Sequence, residues 1–94
     1  MKGAEAYVND QWHSSGLAHL PQGTQSHAIT LHFVVPRAEQ STGLLDHICE
    51  VAQRHIRQAY PGREVSHRPV VGSVVGDGTG DGVQFVFHVS PERA

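Results

Sequence analysis

Residues 28–35 read AITLHFVV and stop at Pro36. Ile29, Leu31, Phe33 and Val35 alternate with Ala28, Thr30, His32 and Val34, which is the period-two pattern of a strand with one strongly apolar face. The alternation returns near the C-terminus, where Val83, Phe85, Phe87 and Val89 interleave with Gln84, Val86, His88 and Ser90. Between the two runs the period changes. Leu44, Leu45, Ile48, Val51, Ala52, Ile56 and Ala59 recur at helical spacing over residues 42–60, so one amphipathic helix is predicted there. Ser41 stands in the N-cap position, and Pro61 with Gly62 ends the helix.

Residues 64–75 carry Val65, Val70, Val71, Val74 and Val75 and connect to the last strand through GDGTGDG at 76–82. A strand, a helix and a second strand normally make a right-handed crossover. The returning hairpin strand then fits between the other two. The expected fold is therefore α+β: a β-α-β-β core with a three-stranded mixed sheet in order 1-3-2 and one helix on one face. Pairing Val75 with Val83 across the loop places Val71 opposite Phe87 and Val70 opposite His88, with Pro69 and Gly72 as points where a bulge would alter the count. Residues 28–94 form this domain. Residues 1–27 read as an N-terminal arm or irregular extension, with a short strand near Ala4–Val8, because Tyr7, Val8, Trp12, Leu17 and Leu20 are separated by glycine, serine, asparagine and proline.

Totals narrow the function classes. Ninety-four residues with 38% hydrophobic and 17% charged content suit one small globular domain whose thin core favours an oligomer. A net charge of −2 argues against binding to a nucleic-acid backbone. No apolar run approaches the roughly 20 residues of a membrane span, and the first residues lack a signal-peptide stretch, so a soluble cytoplasmic chain is expected. The single cysteine, Cys49, excludes an internal disulfide and a multi-cysteine zinc site. Histidine is the outlier, with eight copies, and it both titrates near neutrality and ligates metals.

Strand parity places Thr30, His32, Arg68, Gln84 and His88 on the sheet face opposite the helix, together with valines. That mixed face suits a homodimer interface enclosing a small pocket. His32 and His88, on adjacent strands, can ligate a metal, act as an acid–base pair, or bind an anion with Arg68. The strand order is similar to that of the tautomerase and dodecin families, which assemble as oligomers. The likeness is topological, and Lys2 follows Met1 where tautomerases use an N-terminal proline, so it implies no site residue here.

Other motifs carry less. Asp77, Thr79, Asp81 and Gly82 match the first half of an EF-hand loop, but its twelfth position is His88 and a strand follows, which excludes calcium. The glycine-rich loop precedes no helix and so does not cradle a dinucleotide. His47 and Glu50 share the polar helix face, where a solvated surface is the simpler reading. Three functions remain: a small-ligand- or metal-binding module using the histidine-containing face as a homodimer, a small isomerase or cyclase-like enzyme using His32 and His88 as acid and base, and a protein-interaction or inhibitor domain. No particular cofactor is implied.

Overall fold

A computed structural model of the protein describes residues 3–67 and 81–92. Strand β1 spans His27–Val34, helix α3 spans Thr42–Ala59, β2 spans Val65–His67 and β3 spans Gly82–Val89. The sheet order is β1-β3-β2, as the crossover argument requires. Both hydrogen-bonded ladders are antiparallel. The sheet is thus not mixed in its pairing; β1 and β2 run the same way, but β3 separates them.

Register follows from which residues need burial. Ile29 pairs with Phe87, Leu31 with Phe85 and Phe33 with Val83, and all six are buried. Helix α3 covers that face with Ile48, Cys49, Val51, Ala52 and Ile56. Its first turn is capped by Ser41, whose Oγ accepts from the Leu44 amide at 3.1 Å, in the manner expected of an N-cap serine.

Two expectations need correction. Val65 pairs with Val89, Ser66 with His88 and His67 with Phe87, so neither Val71 opposite Phe87 nor Val70 opposite His88 is the register. Counting back from Val75 assumed an unbroken ladder closed by the glycine-rich loop, and the observed partners lie four residues earlier. Four is even, so Val65 still shares a face with Val89 and Ser66 with His88. Arg68, Pro69, Val70, Val71, Gly72, Val74 and Val75 lie outside the described residues.

The second correction concerns the N-terminal segment. The short strand near Ala4–Val8 is instead part of helix α1, Ala4–Asp10, followed by α2, Trp12–Ser15, and a 3-10 turn at Leu17–His19. Alanine and glutamate favour a helix at the start, and Ala4, Tyr7, Val8 and Trp12 fall on one helical stripe. Tyr7, Val8 and Leu17 join the same buried cluster as the sheet and α3. The Tyr7 hydroxyl donates to the Glu39 carboxylate at 2.6 Å, tying α1 to the segment between β1 and α3.

The N-terminal segment also guards the outer edge of β1. Val35 donates to the Asp81 carbonyl at 2.9 Å, so the odd-numbered residues of β1 bond toward β3 and the even-numbered ones present their backbone groups outward. Gln11 takes the place of a missing strand at Val34: its Nε2 donates to the carbonyl at 2.8 Å, and its Oε1 accepts from the amide at 2.6 Å. Gly16 ends α2 with φ of 105°, a conformation that favours glycine. A Cβ added there would lie 3.6 Å from the Thr30 carbonyl oxygen, so the turn runs close along the same edge.

At the far end of the sheet, Arg63 joins three chain segments. Its Nε donates to the Ser90 carbonyl at 2.8 Å, Nη1 to Gly23 at 2.9 Å and Nη2 to Gln25 at 2.5 Å. The guanidinium lies 5.0 Å from the Tyr60 ring centroid.

Phe87, fully buried on the central strand β3, gives the sharpest test of this core. Phe87→Ala should cost about 3–5 kcal/mol, a large share of the roughly 5–15 kcal/mol typical of a domain. Chemical denaturation showing a loss below about 1 kcal/mol would mean the strand faces are reversed.

Candidate functional site

The open face of the sheet is built from the residues that β1 and β3 turn away from the helices. Rows run across it: Ala28 beside His88, Thr30 beside Val86, and His32 beside Gln84. Ser66 of β2 extends the first row on the other side of His88. Ala28, Thr30, His32, Val34, Ser66 and His88 are exposed, while Gln84 and Val86 are half-buried. The N-terminal segment packs against α3 and the β1 edge and leaves this face uncovered.

The structure separates the two histidines that parity placed together. His88 stands opposite Ala28, four residues along β1 from His32, which is about 13 Å at a strand rise of roughly 3.3 Å per residue. Two imidazole nitrogens on one tetrahedral ion lie only about 3.3 Å apart. Side chains rising side by side from such distant rows do not meet on one ion or one reacting atom. Thr30 lies midway and Gln84 belongs with His32, so the face holds two polar groups with Thr30 and Val86 between them. Arg68 lies outside the described residues.

His88 has the richer surroundings. It borders a shallow depression of about 370 Å³ lined by Ser26, His27, Ala28, Glu64, Ser66, Val89 and Ser90 as well. The Ser90 Oγ accepts from the Glu64 amide at 2.9 Å, and the Ser90 amide donates to the Glu64 carbonyl at 2.9 Å. These reciprocal bonds fix the floor between β2 and the end of β3. His27 is buried beside it, with Nε2 3.3 Å from the Gly23 carbonyl and its ring 5.5 Å from that of Tyr60. Sequence reasoning found His88 through its parity. It missed Ser26, Ser66 and Glu64, because their approach depends on the β2–β3 register and on the Arg63 clamp rather than on any local spacing.

The remaining histidines divide by environment. His55 packs edge-on against Trp12 with centroids 4.8 Å apart, a structural contact between α2 and α3. His47 and Glu50 are exposed on α3. His13 and His19 face each other at 6.4 Å. Among the described residues, no group of three or more histidine, cysteine, aspartate or glutamate side chains is placed to hold a metal ion. No described helix is long and apolar enough to cross a membrane.

Cys49 is buried in the α3 core. Burial pushes its thiol up to about 11, with the nearby Asp46 and Glu50 carboxylates adding to the effect. A thiol so placed stays protonated at neutral pH and is a poor nucleophile.

Comparison with family models, curated proteins and solved structures yields no match for this chain.

The thiol gives a direct check on α3 packing. At pH 8, a disulfide reagent should label Cys49 slowly in the folded protein and at the free-thiol rate after denaturation. Because its folded pKa is raised, Cys49 contributes stability that is complete below the unfolded thiol pKa and is lost as pH rises toward about 11. Rapid labelling of the native protein would contradict the burial.

Proposed function

We propose that this protein is a binding module that takes a small polar ligand on its open sheet face, seated at His88. One observation carries the reading. At the β2 end of the face, His88, Ser26, Ser66 and Ser90 border one depression of about 370 Å³. Hydroxyls both donate and accept, and an imidazole does either according to its protonation state. The set therefore suits recognition of a compact molecule carrying several hydrogen-bonding groups. Glu64 at the rim adds an acceptor and favours a ligand that brings a donor or positive charge to that side.

Binding accounts for this arrangement better than acid–base catalysis by His32 and His88, because their rows are too far apart to share a reacting atom. The rest of the face has a different character. Val34 is 57% exposed and lies beyond His32 on the same face, with Val86 half-buried near the centre. A second copy packed face to face would cover these valines and enclose the depression between two sheets, a self-complementary contact of the kind twofold dimers make. Sedimentation at micromolar concentration should then show a dimer that Val34→Lys dissociates; a wild-type monomer would leave the ligand site standing and remove the dimer.

The ligand site is tested by amide NMR spectra of the protein titrated with a set of small carboxylates, amino acids, amines and sugars. Shifts should gather at Ser26, Ser66, His88 and Ser90. His88→Ala should abolish them without loss of fold, since the side chain is exposed, and His47→Ala should leave them unchanged. Shifts centred on His47 and Glu50, or persisting in His88→Ala, would place the site elsewhere.

A further inference from the structure

The pairing of His13 with His19 is a product of the local fold. Residues six apart on a continuous α-helix point about 120° away from one another and are separated by roughly 9 Å along the axis. Only partners three or four apart are neighbours on such a helix. Here α2 ends at Ser15, Gly16 takes φ of 105°, and a 3-10 turn follows over Leu17–His19. That left-handed break turns His19 back toward His13. The two ring centroids lie 6.4 Å apart with the planes inclined at 54°.

We propose that His13 and His19 form a chelating pair for a zinc-class divalent transition metal, at a site separate from the open sheet face. An imidazole centroid lies about 3.2 Å from a zinc ion bound through one ring nitrogen, so two rings on a tetrahedral ion have centroids about 5 Å apart. The observed separation closes to that value with a shift of about 1 Å, which rotation about the side-chain bonds supplies. Both residues are exposed, so the ion has an open approach and neither ring must leave a packed position. No hydrogen bond to either ring is formed among the described residues, which leaves their nitrogens available. The backbone beneath them is held firmly: Ser15 Oγ accepts from the Leu17 amide at 3.3 Å, and Leu17 is anchored in the core. Two protein nitrogens occupy half of a tetrahedral shell, and water completes it.

The experiment uses the untagged full-length chain and zinc chloride, with binding read by equilibrium dialysis and elemental analysis. Histidine ring signals are followed in parallel by NMR. One zinc ion per chain should bind, shifting the rings of His13 and His19 first. Either His13→Ala or His19→Ala should weaken binding by about tenfold or more, because a single imidazole ligand loses the chelate. His47→Ala, an exposed histidine on α3, should bind as the unaltered protein does. The proposal is overturned if zinc shifts other histidines instead, if both alanine variants keep full affinity, or if the unaltered chain binds none.

Discussion

The ladder between β1 and β3 is the constraint on which the rest of the structure depends. Ile29, Leu31 and Phe33 meet Phe87, Phe85 and Val83 in successive rows, and Phe33 and Phe85 contact edge to face at 5.8 Å. Six apolar side chains therefore leave one side of two strands and must be covered by another layer, which helices supply here. Helix α3 and the N-terminal helices both lie on that side. The opposite side receives whatever the alternate positions carry. His32, Gln84, Thr30 and His88 are together on one surface because the core residues between them had to be buried, and their spacing along that surface is inherited from the same register.

A sheet of three strands has two exposed edges, and an unpaired edge invites another chain. Both are partly closed here by glutamine side chains acting as substitute backbone. Gln11 makes two bonds to Val34 on β1. On β2, Gln53 Nε2 donates to the Val65 carbonyl at 3.0 Å. An amide offers the same donor and acceptor as a peptide group, so it satisfies an edge position without extending the ladder. The N-terminal segment is consequently more than a cover for the core. It closes part of the β1 edge and leaves Thr30, His32 and His88 on the other face exposed.

Sequence and structure agree where a period determines the outcome. Alternation at 28–35 and 83–90 identified two strands and their inward faces, and the helical stripe from Leu44 to Ala59 identified α3 within a residue of its end. Spacing along the chain does not determine pairing partners. Ser66, rather than Val70, sits opposite His88, because alternation determines which face a residue takes and not which partner it meets. The N-terminal helices were obscured for a different reason: their shortness, with a break at Gly16, hides the Ala4–Tyr7–Val8–Trp12 stripe from a search for long periods. The Arg63 clamp left no sequence signal, since its three acceptors are backbone carbonyls that any residue could provide.

The separation of His32 from His88 rests on one register, and cross-strand proton contacts measure that register directly. Even-numbered residues of β1 form the pairs that exchange no hydrogen bond with β3, where Cα atoms approach to about 4.5 Å. In a nuclear Overhauser spectrum, strong Hα–Hα cross-peaks should connect Ala28 with His88, Thr30 with Val86, and His32 with Gln84. A set displaced by two residues, with His32 facing Val86, would bring the two histidines into neighbouring rows and restore a shared site. A displacement by one residue would carry the apolar set to the other face and contradict the fold itself.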